Sequence, residues 1–215
     1  MKKTIYQIFM LLTFLIVSIS GFAQSNGDKN RFSLLFGLNQ PILLKGFNFE
    51  LNYWMKHWVI DYSHGFNLHV DGEFVAPEYE RQNVNFKITH SLGIGFGYRF
   101  TKAFNLRFEP KIHIYEAYYD CHDQSGGTSI SNFNTYTLGF GAYYRWLPFE
   151  AKQGLAKGIT IVPSIRYWYK VGSSLPGDQA SYFNTCTNQT EILNVPNIGV
   201  ANTPWIINIS IGYTF

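Results

Sequence analysis

From Val84 to Phe100 the chain alternates without a break. One set of positions reads Val84, Phe86, Ile88, His90, Leu92, Ile94, Phe96, Tyr98 and Phe100; the other reads Asn85, Lys87, Thr89, Ser91, Gly93, Gly95, Gly97 and Arg99. Successive side chains of a β-strand point to opposite faces, so this stretch predicts one strand with a greasy face and a polar or glycine face. Strands of soluble proteins usually end after about five or six residues. A strand of this length, and with so few charges on its polar side, restricts the folds open to the chain.

Seven further segments follow the same rule. Phe32, Leu34, Phe36 and Leu38 oppose Ser33, Gly37 and Asn39. Phe47, Phe49, Leu51 and Tyr53 oppose Asn48, Glu50 and Asn52. Trp58, Ile60, Tyr62, His64, Phe66 and Leu68 oppose Asp61, Ser63, Gly65 and Asn67. Leu106, Phe108, Ile112 and Ile114 oppose Arg107, Glu109, Lys111 and His113. Tyr136, Leu138, Phe140, Ala142, Tyr144 and Trp146 oppose Thr135, Thr137, Gly139, Gly141 and Arg145. Ile159, Ile161, Ile165, Tyr167 and Tyr169 oppose Thr160, Ser164 and Arg166. Trp205, Ile207, Ile209, Ile211, Tyr213 and Phe215 oppose Asn208, Ser210, Gly212 and Thr214. The connections alternate too. Residues 55–57 and 101–103 are tight turns and 147–158 a somewhat longer one, whereas 69–83, 117–133 and 170–204 are long. Segment 92–100 is echoed at 138–146 and, at its end, at 211–215, as a meander of hairpins would give.

A soluble barrel of the lipocalin kind would put the apolar face inside and the polar face in water. Solvent-facing strands then carry many lysines and glutamates. This chain is only 14% charged and is 18% aromatic, where an ordinary soluble domain is about 25% charged. Turned inward, its small polar residues let an eight-stranded lumen close around a few long side chains. Aromatic residues also gather at the ends of the apolar face: Tyr53, Trp58, Tyr98, Phe100, Trp146, Tyr213 and Phe215 toward the short turns, and Tyr167, Tyr169 and Trp205 toward the long loops. Such girdles suit the two lipid–water interfaces. Backbone groups in lipid must all be paired, which only a closed sheet achieves with strands. The expected fold is therefore all-β: a closed, eight-stranded, antiparallel up-and-down transmembrane β-barrel. Pro110 and Pro163 interrupt the pattern, because proline gives no ladder hydrogen; local bulges or lost ladder bonds are expected there.

On residues 31–215 the pattern resembles the small outer-membrane barrels of Gram-negative bacteria, of the outer membrane protein A and X type. The resemblance implies an outer-membrane location, contact with outer-membrane lipid and lipopolysaccharide, and insertion by the barrel-assembly machinery. It also implies that Ile211, Tyr213 and Phe215, in the terminal strand, form the signal that machinery reads.

Ahead of the barrel, Lys2 and Lys3 precede an apolar run from Ile5 to Ile19, and Gly21-Phe22-Ala23 offers small residues before a cut. Residues 1–23 read as a secretory signal peptide, leaving a barrel domain over 24–215. The leader takes two lysines and no acid with it, so the net charge falls from +3 to +1. No basic patch emerges, and nucleic acid is not an expected partner. Export places Cys121 and Cys186 in an oxidising compartment, where a bridge between them is expected over two free thiols.

By parity the lumen receives Glu50, Asp61 and Glu109 together with Lys87, Arg99, Arg107, Lys111, Arg145 and Arg166. Enclosed charges need partners, so these form a cross-barrel network that plugs the lumen; the alternative, from the cationic excess of three, is a narrow, porin-like, anion-preferring channel. On the lipid face His64, His90 and Glu116 are expected to converge near the outer rim. A His–carboxylate pair there would suit a lipid A deacylase or acyltransferase, but no lipid-facing serine completes a set and Ser63 and Ser91 point inward by parity. His57, His64, His69 and His113 lack metal-ligand spacing, and no cofactor is implied. The expected role is structural or interactive, with loops 117–133 and 170–204 as the candidate sites for an extracellular ligand.

Overall fold

The computed structural model describes residues 30–71, 74–121, 129–197 and 204–215; the leader segment 1–23 lies outside them. Eight strands close into a barrel: β1 (Arg31–Gly37), β2 (Phe47–Trp54), β3 (Trp58–Val70), β4 (Val84–Arg99), β5 (Phe104–Tyr119), β6 (Ser129–Tyr144), β7 (Ile159–Ser173) and β10 (Trp205–Thr214). Each pairs antiparallel with its chain neighbour in the barrel, and β10 closes the ring on β1 through pairs such as Leu35 with Gly212. The remaining two strands, β8 (Gln179–Asn184) and β9 (Gln189–Asn194), form a separate hairpin inside the connection from β7 to β10. Helices α1 (Asn39–Leu43) and α2 (Pro77–Arg81) sit in two other connections at that same end.

Through the middle of the barrel the alternation sorts side chains as expected. Ile94 and Phe96 are 51% and 55% exposed on the outside, while Asp61, Arg107, Glu109 and Arg166 are buried within. Toward the long-loop end the sorting reverses. Val84, Phe86, Ile88 and Leu68, expected on the outer face, are buried inside. The cause is an irregularity shared by β3 and β4. Asn67 takes a left-handed backbone (φ 54°), and the β3–β4 ladder steps from Phe66–His90 to Leu68–Ile88. Thr89 is an extra residue against β5, where the register shifts between Ile88–Tyr115 and His90–Ile114. One unpaired residue exchanges the two faces of everything beyond it. The same step carries Lys87, expected in the lumen, to the outer face, where it stands opposite His69 and Glu116.

On β5 and β6 no exchange is needed, because the inward positions themselves change chemistry. Glu109 and Lys111 give way to Tyr115, Ala117 and Tyr119, and Thr135 to Phe133. These strands run to Tyr119 and start at Ser129, so part of the expected loop 117–133 is strand.

Both prolines leave gaps in the ladders without moving the register. The β4–β5 pairing skips from Gly93–Lys111 to Phe96–Phe108, beside Pro110. The β6–β7 pairing stops at Tyr143–Ser164, before Pro163, and resumes as the isolated bridge Trp146–Ile161. A residue with no N–H forfeits the bond but need not shift the chain.

Candidate functional site

Three layers fill the barrel along its axis. The middle one is ionic. Arg107 reaches from β5 across the lumen and donates to Glu50 Oε1 (2.7 Å) and Asn52 Oδ1 (2.7 Å) of β2 and to Asp61 Oδ2 (3.1 Å) of β3. Arg166 of β7 lies 3.6 Å from Glu50, and Lys111 lies 3.5 Å from Glu109. The Tyr143 hydroxyl donates to Glu109, and its ring lies under Arg107 and Arg166 at 4.0 and 5.0 Å. Three carboxylates thus meet three cations, all almost fully buried. The expected cationic excess is not in this layer: Lys87 faces outward, and Arg99 and Arg145 belong to the short-turn mouth.

The glycines of β4 and β6 make room for this layer. A Cβ on Gly95 would run into the Asp61 carboxylate, one on Gly93 into the Lys111 stem, and one on Gly97 into Arg107. On β6, Gly139 lies beneath the Trp168 ring and Gly141 beneath Tyr143. The glycine-rich inner face in the sequence is the imprint of long side chains on neighbouring strands.

Above the ions lies a cavity of about 90 Å³, lined among others by Lys111, His113, Arg166, Trp168 and Ile88. His113 spans its wall between Ser91 Oγ and Thr137 Oγ1, each 2.9 Å away. A hydrophobic cap then closes the long-loop end. Phe86, Ile88, Tyr115 and Phe133 rise from the strands, with Tyr115 and Phe133 stacked at 5.3 Å. Tyr79 of α2 inserts edge-on to Phe86 at 4.8 Å, and Leu193 and Val195 come from the β9 side. Pro77, whose fixed φ suits the first turn, starts α2 after the extended Ala76.

The hairpin is fastened over this cap by polar contacts. Asn184 donates to the Gln82 carbonyl (2.7 Å), Gln82 donates back to the Ile192 carbonyl (3.0 Å), and the Tyr119 hydroxyl donates to the Phe183 carbonyl (2.6 Å). Cys121 and Cys186 are bonded to each other, 65 residues apart in sequence, joining the end of β5 to the hairpin turn. Lys170 lies 3.0 Å from Asp178, which also accepts from Ser173. The expected loop 170–204 is structured in part: β7 runs on to Ser173, and the hairpin occupies 179–194.

At the opposite end Trp54, Arg99 and Arg145 converge. Arg99, Arg107 and Arg145 stand over the Trp54 ring at 5.5, 5.1 and 4.5 Å, so this indole lies where the ionic layer meets the short-turn mouth. The Trp54 N–H donates to Ser33 Oγ (2.7 Å), the first of three hydroxyls continued by Thr214 and Thr160. Trp54, Tyr143 and Trp168 were readable as inward by parity, but an aromatic in an apolar-looking strand draws attention to the lipid side.

On the outer face His64 Nε2 lies 3.1 Å from His90 Nδ1, and Tyr62 reaches His64 Nδ1 at 3.3 Å. The third member of the expected rim set does not join them. Glu116 stands opposite Lys87, two positions beyond the partner of His90, and among the described residues no hydrogen bond or ion pair links it to either histidine. Ser63 is buried and Ser91 is bonded to His113. Ile211, Tyr213 and Phe215 follow the outer parity of β10, Tyr213 and Phe215 with rings 4.9 Å apart. Among the described residues no three His, Cys, Asp or Glu side chains converge as a metal site requires.

No family model matches this chain, and no curated protein matches it. Among solved structures, the crystal structure of Ail, the attachment invasion locus protein of Yersinia pestis, aligns at a TM-score of 0.36 and 12% identity, covering 86% of this chain and 96% of that one.

Proposed function

We propose that this chain is an outer-membrane β-barrel whose lumen is a structural plug and whose capped long-loop end is a surface for interaction. One observation carries the reading: at the level where the interior is ionic, the outer face is a belt of exposed Leu, Ile, Phe, Tyr and Trp. In water that arrangement would expose apolar residues over a whole circumference while burying six charges. Monomeric soluble proteins rarely leave a contiguous apolar patch larger than a few hundred Å². In a bilayer the belt meets hydrocarbon, and the ions are confined to the one place that satisfies them.

The short turns then face the periplasm and the cap faces outward, with outer-membrane lipid and lipopolysaccharide around the rim. Ile211, Tyr213 and Phe215 serve as the signal for the barrel-assembly machinery. Residues 1–23 act as the export leader. The balanced ionic layer and the hydrophobic cap argue for a closed lumen over an anion channel, and the rigid hairpin offers a platform for an extracellular ligand.

The test is reconstitution of the mature chain in lipid vesicles and planar bilayers. We expect a compact, heat-modifiable form that needs lipid or detergent to fold and gives no steady single-channel steps. A monomer that folds freely in buffer would overturn the membrane reading, and reproducible unitary conductance would overturn the plug.

A further inference from the structure

The short-turn mouth holds a cavity of about 240 Å³ that none of the roles above uses. Among the described residues five cations line it, Arg31, Lys56, Arg99, Lys102 and Arg145, against one carboxylate, Glu150. Glu150 is engaged at 3.1 Å by Arg31, at the exposed edge of the cavity. Arg145 is the unusual member. It follows the end of β6 on the inward parity and is only 7% exposed. Its Nη2 donates to the Lys102 carbonyl at 3.2 Å, while among the described residues Nε and Nη1 have no hydrogen-bond partner.

A buried guanidinium without a carboxylate partner is costly to maintain. The ionic layer only one step away shows how this chain treats such groups elsewhere, with a carboxylate for each. At the mouth Arg145 has the Trp54 ring at 4.5 Å and the Lys102 carbonyl, but no carboxylate of its own among the described residues. Guanidinium groups match the oxygen geometry of phosphate, and several converging cations favour an anion of more than one charge.

We propose that the short-turn mouth is a binding site for a phosphate group, gripped by Arg145 with Arg99, Arg31 and the neighbouring lysines, and with Glu150 as the internal competitor for Arg31. Tyr144 and Trp146, which face the barrel exterior, line the same cavity. The opening therefore reaches the outer rim, where a phospholipid headgroup could enter as readily as a free phosphate ion. The cavity and its charges stand whether or not the barrel resides in a membrane.

Isothermal titration of the full mature chain, refolded in an uncharged detergent, tests this with two probes: inorganic phosphate and a short-chain phosphatidylglycerol. Saturable binding of both, or of phosphate alone, identifies a general phosphate site; binding of the lipid alone identifies a headgroup site. In either case Arg145→Gln should weaken binding about tenfold or more. Glu150→Gln, at a half-exposed position, should strengthen it a few-fold by freeing Arg31. That opposite sign keeps the proposal testable if the Arg145 variant fails to fold. Absence of saturable binding by either probe, or an affinity that Glu150→Gln leaves unchanged or lowers, would overturn it.

Discussion

Ile88 and Ile94 lie on one strand and on the same parity of its sequence, yet one is 5% exposed and the other 51%. Between them Thr89 adds a residue and the strand turns over. The part of the barrel below the bulge is built inside out, with ions within and hydrocarbon-like groups without. The part above it is built like a soluble protein, with Phe86, Tyr115 and Phe133 within and Lys87, Glu116 and Asn132 without. The same sheet continues through both. The surroundings expected by each level, rather than the strand pattern, decide which face is greasy: β3 and β4 cross between the regimes by an irregularity at Asn67 and Thr89, β5 and β6 by a change of residue type on an unbroken parity.

The two regimes should fail differently. The largest effect is expected in the ionic layer. Arg107→Ala leaves Glu50 and Asp61 enclosed without their shared donor, and removing one partner of a buried pair costs about 3–5 kcal/mol; urea titration in vesicles should show the whole barrel destabilised by that order. In the cap, Phe86→Ala should cost about 3–5 kcal/mol as a core truncation. Phe96→Ala, at the same sequence parity but facing outward, loses the transfer of its ring from water into lipid and leaves no cavity, so it should cost only about 2 kcal/mol in the same assay. Equal costs for the two phenylalanines would break the distinction between the levels.

A more local effect is expected from the disulfide. Replacing Cys121 and Cys186 together by serine should remove about 2–4 kcal/mol of constraint, felt by the hairpin and cap. Hydrogen exchange should accelerate over 179–194 while the ionic layer of β2, β3 and β5 keeps its protection. The smallest is a pH effect. Hydrogen bonding from Ser173, and then from Lys170, holds the Asp178 carboxyl below its ordinary value. A depressed folded pKa adds stability above the unfolded pKa, about 3.9, and loses it as pH falls through the lower folded value. Hairpin protection should thus be level from neutral pH down to that range and weaken below it, and Asp178→Asn should reduce the dependence, leaving the share of Glu191, whose carboxyl, against the raising effect of its burial, is also held low by hydrogen bonds from Thr187, Asn184 and Tyr182.

The eight strands were legible because an alternating period survives any change of surroundings, and the short turns at 55–57 and 101–103 fixed their order. The ionic partners Glu50, Asp61, Glu109, Arg107, Lys111 and Arg166 were legible for the same reason. The exchange of faces was not. Asn67 and Thr89 interrupt the geometry without interrupting the sequence, since Phe86, Ile88, Leu92 and Ile94 alternate straight through the bulge. Lys87 was misplaced by that step, and Glu116 was set beside histidines whose level it does not share. The hairpin at 179–194 was hidden because Gln, Ser, Thr and Asn dominate its outer face, and Tyr182 and Leu193 become meaningful only once a cap exists to receive them. The arginine-lined mouth was invisible as a unit, since its members come from the ends of separate strands and turns.

Side-chain contacts in lipid offer the most direct measurement. With methyl-protonated isoleucine in an otherwise deuterated chain, carrying protonated aromatic rings and reconstituted in lipid nanodiscs, each δ-methyl reports its neighbours through NOE cross-peaks. The Ile94 and Ile112 methyls should show acyl-chain cross-peaks and none to buried rings, while Ile88 should show aromatic cross-peaks from the cap and none to lipid. An Ile88 methyl in contact with acyl chains, or an Ile94 methyl in contact with interior rings, would contradict the account.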